Sequence, residues 1–353
     1  MEFYILNSDF EIIAALDTFK SAIWTRRFYT SGDFEIYAPA DPNTLSLLTE
    51  GRIIVRADKQ EQAGIIETVS VTTSQEEGDY IIASGRTLQG VLSRRIVWKQ
   101  TTLSGNPEKV ARRLITESMI EAEDEKRIIP QMRLGEPAGI TGFMKAQYTG
   151  DNVAEVIEGI CKENRIGYRV DFDLTEKTFT FSLYKGTDRT YNQSAVPFVV
   201  FSADFENLLN TNYTADGLTH KNVIQVAGEG EGTARQKVTV TNTNQGGLAR
   251  KEAFADAKDL SSNTGEFTAL TYAALLSQRG AEALAEARII EGMESEITAN
   301  YSSFQIDRDF FLGDLVEIID EYGHEMTPRV TEVIESQSET GYTCIPTFAN
   351  DEE

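Results

Sequence analysis

The residues able to do chemistry are few and lie far apart. In "DFD", Asp171 and Asp173 alternate along a strand-like run, which would put both carboxylates on one face. Such a pair could carry two-carboxylate glycoside hydrolysis or hold a divalent cation. The polar outer edge of a hairpin has the same pattern, and that is the expectation here. The only histidines, His220 and His324, have no Cys or His nearby at metal-ligand spacing. Cys161 and Cys344, the only cysteines, cannot build a disulfide framework, and each is expected to be buried as a small apolar residue. "GEGEG" at 228–232 has the glycines of a phosphate cradle, but it opens no helix, and Glu229 and Glu231 would repel an anion. A strand-connecting turn is expected there. No G-x-S-x-G elbow, P-loop or H-E-x-x-H occurs. No catalytic residue, metal or cofactor is therefore assigned, and a non-enzymatic protein is expected.

The charge balance points the same way. With 56 Asp and Glu against 33 Lys and Arg, the net charge is -23. Such a surface disfavours nucleic acid, because phosphate contact needs clustered cations. The pairs Arg26-Arg27, Arg94-Arg95 and Arg112-Arg113 are isolated and are expected to be solvated or salt-bridged. The opening "MEFYILNSDFEII" lacks the basic stretch and apolar core of a signal peptide, and no apolar run approaches the ~20 residues of a membrane span. Folding in a reducing cytoplasm is expected. Both tryptophans, Trp24 and Trp98, stand in strand-like apolar contexts and are expected in the core.

The elements that must position these residues fall into three stretches. Residues 1–98 read as a β domain of about seven strands, with turns at Asn7-Ser8-Asp9 and Thr30-Ser31-Gly32 and a short helical piece in "TLQGVLSRR". Residues 99–195 read as an α+β insert. Asn106 caps a helix with Pro107 at its first position, and a second helix puts Val153, Val156, Ile157 and Ile160 on one side. The strands "GYRVDFD" and "TFTFSLYKG" then alternate as a hairpin. Residues 196–353 return to β, interrupted by a long amphipathic helix at about 268–292 with Tyr272, Leu276, Leu284, Ala287 and Ile290 on one face. Its expected length is roughly 37 Å. "SEITANY" is expected to resume the sheet.

One passage occurs twice. "GRIIVRA" followed by "GIIETVSVTTSQEEGDYIIASG" near the start matches "GDLVEII" followed by "RVTEVIESQSETGYTCIPTF" near the end. Gly51 and Gly78 correspond to Gly313 and Gly341, which points to shared turns of positive φ. Hairpins of unrelated origin can also look alike, so pattern alone leaves both explanations open.

The ordered set "IWTRRFYTSGDFEIYAP", "LLTEGRIIV", "AGIIETV", "ASGRTLQGVLSRR", "KNVIQVAGEGEGTARQ", "GGLARKEAFADAKDL", "LSQRGAEALAE", "FFLGDLVEIIDEYG", "RVTEVIE" and "YTCIPTF" resembles the distal tail or baseplate-hub proteins of long-tailed bacteriophages. This is the tail-associated siphovirus group, with phage-derived tail-like particles and bacteriocins beside it. The resemblance implies a mainly β fold in which two related β-barrel domains flank the α+β insert. It implies a homotrimer whose paired barrels make a pseudo-sixfold ring between a sixfold tail tube and a threefold tip, spike or fibre-bearing protein. Distal tail, tail-tube and tape-measure proteins become the expected partners. The expected location is the distal tail of a virion or tail-like particle assembled in the host cytoplasm. DNA would pass through the ring without sequence-specific binding, and an acidic wall would repel it. Family members with long C-terminal extensions carry fibres or lysins, and with the sequence ending at "FANDEE" those functions are expected on other chains. The alternatives are a tail-associated peptidoglycan hydrolase using Asp171 and Asp173, or a cell-surface carbohydrate-binding module.

Overall fold

The computed structural model describes residues 1–73, 78–202, 204–207, 209–262, 269–288, 290–296, 304–319 and 325–349. Eleven strands share one sheet, numbered here in chain order. They are β1 Phe3–Leu6, β2 Ile12–Leu16, β3 Ser21–Arg27, β4 Asp33–Pro39, β5 Ile53–Arg56, β6 Ala63–Thr72, β7 Tyr80–Thr87, β8 Leu209–Asp216, β9 Ile290–Glu296, β10 Arg329–Ser338 and β11 Gly341–Ala349. Their order across the sheet is β8-β9-β11-β10-β3-β4-β7-β6-β5-β1-β2. The chain's two ends therefore meet inside a single sheet, through β3 and β10. The fold is mainly β, and no closed barrel is found among the described residues.

The alternation read from the sequence sets the two faces of this sheet. Trp24, Phe34, Ile36, Ile54, Ile66 and Ala83 are buried together on one side, where the indole stacks on Phe34 with ring centroids 5.4 Å apart. Val330, Val333 and Phe348 continue that apolar face into the C-terminal strands with Phe201 and Phe310. Burying such side chains contributes about 1.5–3 kcal/mol each. Asn7 shapes the first turn as expected, accepting from the amides of Asp9 and Glu11 at 2.9 and 3.0 Å. The positive φ falls on Phe10, however, whose ring packs edge-on against Phe179 at 5.3 Å. Burial of that ring offsets the backbone cost.

Helix α1, Pro42–Leu47, follows β4. Between these halves of the sheet, helices α2 Pro107–Ile115 and α3 Val153–Asn164 pack over two small sheets. The Asn106 cap is the one expected, and Asn152 caps α3 in a similar way. Asn106 accepts from the Lys109 amide at 2.7 Å, and Asn152 accepts from the Ala154 amide at 2.9 Å. Val153, Val156, Ile157 and Ile160 are all buried. Strands Gly167–Asp173 and Thr178–Tyr184 form the expected antiparallel hairpin. Helix α4, Ala269–Glu286, covers one face of a three-stranded sheet at Val223–Ala227, Lys237–Thr241 and Glu252–Asp256.

Three expectations need correction. Helix α4 has 18 residues, about 27 Å, and does not reach residue 292. Ile290 belongs to β9, where pairing with β8 and β11 suits a β-branched residue followed by Gly292 better than a helix does. Trp98 is 64% exposed rather than in the core, and Cys344 is only partly buried. Most of "SEITANY" lies outside the described residues.

The repeated glycines do share their conformation, with φ of +82° at Gly51 and +96° at Gly313. Their surroundings differ. An added Cβ at Gly51 meets nothing within 4 Å, whereas at Gly313 it would lie 2.3 Å from the Phe28 ring. Gly51→Ala is expected to cost about 1–2 kcal/mol from the backbone alone. Gly313→Ala is expected to cost clearly more, read as the larger drop in melting temperature. Equal or reversed losses would contradict this reading.

Candidate functional site

The most heavily built polar feature of the molecule is the seam between β3 and β10. Seven residue pairs run from Ser21 opposite Ser338 to Arg27 opposite Glu332. At its middle Glu335 sits opposite Trp24 and is fully buried. Three cations surround its carboxylate: Arg56 at 3.3 Å, Lys59 at 3.1 Å and Arg26 at 3.4 Å. The Tyr342 hydroxyl donates to it at 2.8 Å. Arg56 is itself buried and forks onto Asp58 at 2.6 and 2.8 Å. Asp307 closes the outer side, accepting from Arg26 at 2.9 and 3.0 Å and from Lys59 at 2.6 Å. Arg27 binds Asp33 and Glu332.

A buried carboxylate is costly to desolvate, and burial alone would raise the pKa of Glu335. Arg26, Arg56 and Lys59 outweigh that and hold it below the usual range. The network binds segments far apart in the chain, because Arg26, Arg56 and Lys59 come from the first β portion and Glu335 and Asp307 from the last. A cavity of about 640 Å³ opens beside it, where Arg169, Asp171 and Tyr184 of the insert face Arg26 and Lys59.

Flanking this seam, the repeated passage folds the same way twice. The Gly51 amide donates to the Ile66 carbonyl at 2.9 Å, as Gly313 does to Val330 at 2.8 Å. The return bonds, Ile66 to Arg52 and Val330 to Asp314, are both 2.9 Å. Each long strand then slips register at the next residue, between Ile66 and Thr68 against β7 and between Val330 and Glu332 against β11. Strand order repeats as well: β3-β4-β7-β6 matches β8-β9-β11-β10. Within the chain, the last strand of the second set pairs with the first strand of the first set. The corresponding free positions are the outer edge of β8 and the edge of β6 beyond Ile65, neither of which has a strand partner among the described residues.

The residues singled out for chemistry are dispersed. Asp171 pairs with Arg169 at 2.8 Å, and burial raises its pKa. Asp173 shares its strand face but is spent on a turn, accepting from the Thr175 and Glu176 amides at 2.9 and 2.8 Å. The two carboxylates thus have separate structural partners. The His220 ring nitrogen contacts the Ala287 carbonyl at 3.2 Å, and His324 lies outside the described residues. In 228–232, Glu229 is pinned by the Ser262 hydroxyl at 2.6 Å, and its amide donates to the Tyr272 hydroxyl at 2.8 Å. Burial, with Glu158 nearby, pushes the Cys161 thiol far up, and burial raises Cys344 to about 11. Among the described residues no three His, Cys, Asp or Glu gather as a metal site, and no helix is long and apolar enough to cross a membrane. Sequence reasoning missed Glu335 and Arg56. The only signal was a charged residue at a core-facing position of each strand.

This is a mainly β chain whose two ends carry one strand arrangement, joined edge to edge. Residues 2–349 match the Siphovirus ReqiPepy6 Gp37-like protein family, and the chain belongs to it. No curated protein sequence matches the chain. The fold is similar to the tail protein from Neisseria meningitidis MC58, with TM-score 0.58 and 14% identity over 99% of this chain and 96% of that one. It is also similar to the 43 kDa tail protein of prophage MuSo2 from Shewanella oneidensis, with TM-score 0.57 and 11% identity over 100% and 99%. Prophage tail protein gp18 from Listeria monocytogenes EGD-e gives TM-score 0.56 and 10% identity over 100% and 96%.

Removing the Glu335 charge should leave Arg56 with Asp58, and Arg26 and Lys59 with Asp307, as their carboxylate partners. Glu335→Gln is expected to destabilise the protein by about 1–3 kcal/mol in chemical denaturation. Because the folded pKa of Glu335 is depressed, its contribution is present above the unfolded carboxylate pKa and is lost as pH falls through the folded value. The variant should therefore lose stability less steeply on acidification. A parallel acid limb in both proteins would count against the network.

Proposed function

We propose that this protein is a non-enzymatic hub of the distal tail, acting as a homotrimer. Residues 1–98 and 196–353 form two related barrel-type domains per chain, and 99–195 form the insert. Three chains alternate these domains around one axis, so that a threefold assembly offers six near-equivalent docking positions. A sixfold tube or distal tail protein and the tape-measure protein lie on one side, and a threefold tip or spike on the other. A symmetric tube requires a repeated patch, and a repeated domain supplies it.

The observation that carries this reading is the head-to-tail pairing of the two strand sets. The same pairing between chains would join β6 of one copy to β8 of the next. Its register follows from the repeat. Glu335 lies five residues beyond Val330, as Val71 lies five beyond Ile66. On the other side Trp24 pairs with Phe34, and Tyr213 occupies the matching place opposite Met293. Since Glu335 pairs with Trp24 within the chain, Val71 would pair with Tyr213 of the next copy. Both are 51% exposed in the single chain, and each would cover the other. The closed ring would turn the face opposite Trp24 toward the axis. That face bears Ser21, Ser70, Ser84, Ser336 and Thr343 with Glu35. Arg27 on it is bound to two carboxylates. Such a wall offers little to phosphate, as a DNA conduit requires.

Paired strand positions lie about 4.5–5.5 Å apart, within disulfide reach. Val71→Cys with Tyr213→Cys is expected to link neighbouring chains in assembled tails and give covalent trimers on a non-reducing gel. Val71→Cys with Asp216→Cys, roughly 10 Å out of register, should not. Absence of the first link, or equal linking by both pairs, would sink the ring. Ser70→Lys with Ser84→Lys is expected to slow DNA ejection, and unchanged ejection kinetics would remove the conduit role.

A further inference from the structure

We propose that the cleft beside Trp98 is a binding site for a neutral oligosaccharide of N-acetylhexosamines. The cleft, about 660 Å³, lies between the segment following Ile96 and the C-terminal end of α2. That volume is in the range of small-ligand pockets. Its platform is the exposed indole of Trp98, which is fixed in place from behind. The Val97 amide donates to the Asp151 carbonyl at 2.9 Å, and the Gly150 amide donates to the Val97 carbonyl at 2.8 Å. Arg127 holds the ring from one side, its guanidinium 5.1 Å from the ring centroid and its Nη2 donating to the Ile96 carbonyl at 2.6 Å. Arg95 anchors Arg127 in turn, donating to its carbonyl at 2.8 Å. With 64% of the residue still exposed, the arginine covers only part of the indole.

An exposed tryptophan held this firmly presents a flat apolar face at low ordering cost. A pyranose ring has a matching face of C–H groups. The charges around the platform nearly balance, with Lys99, Arg113 and Arg127 among Glu117, Glu121, Glu123 and Asp124, which favours a neutral ligand over an ionic one. Lys99 pairs with Glu123, and Arg113 pairs with Glu117 at 2.7 Å. Those pairs, with the Thr101 and Thr102 hydroxyls, can still donate to and accept from neutral sugar hydroxyls. Val97 and Leu114, both buried, supply a small apolar floor beside the platform, suited to an acetamido methyl group. The cleft draws on residues 97–127 alone, so it is independent of the edges that the ring would use.

The chain has only two tryptophans, and Trp24 is fully buried, so a ligand-dependent change in tryptophan emission reports Trp98. Titration of the full-length protein with chitotriose is expected to give a saturable blue shift with a Kd of about 1 mM. Maltotriose, which lacks acetamido groups, should bind at least about tenfold more weakly. Calorimetry of Trp98→Ala should show at least a tenfold loss, while Trp98→Phe keeps partial binding. Because residue 98 is exposed, both variants should melt near the native protein. No saturable shift with chitotriose, or undiminished binding by Trp98→Ala, would overturn the site. Equal binding of the two sugars would overturn its preference for N-acetylhexosamines.

Discussion

The pairing of β3 with β10 is the contact on which the rest of the molecule depends. It joins residues about three hundred positions apart and turns two separate strand sets into one sheet. Backbone hydrogen bonds along such an edge are not selective by themselves, since any free strand edge can accept another. Selectivity comes from Glu335. Its buried carboxylate is tolerable only where Arg26, Arg56 and Lys59 converge, and it reaches them when β10 lies in register against β3. The network therefore favours the pairing inside one chain over every competing pair of edges.

That division of labour gives the two kinds of seam different chemistry. The seam within the chain is charged and locked. The matching edges on the outside carry Val71 and Tyr213, which are apolar and need no partner charge. A ring assembled from such subunits would keep its internal joints fixed while its external joints form by burial of apolar surface. The acidity of the chain fits the same scheme, because most carboxylates are left for the surface while the buried Glu335 and Asp314 are paired with cations.

Much of the fold was legible from local rules. Asn106 and Pro107 mark a helix start because capping is a property of neighbouring residues, and Gly51 and Gly313 mark a repeated turn because positive φ is cheap only for glycine. The limits of local reading are equally physical. Helix α4 stops early because Ile290 opens a strand that pairs with β8 and, from Gly292, with β11, partners that the sequence alone does not display. Trp98 looks like a core residue until the insert is seen to leave its ring outside. Glu335 reads as one charge among many, since it meets its three cations only after the ends of the chain have met. Asp171 and Asp173 take their partners from their own hairpin: Arg169 two residues before the first, and the amides of the following turn for the second.

The central claim is that the first and last β portions are two versions of one unit arranged around a common axis. Electron cryo-microscopy of the assembled tail tip tests it most directly. The account predicts a ring of three chains in which the two portions alternate at one radius, giving six near-equivalent positions. A ring of six chains, or one in which the two portions lie at different radii, would contradict it.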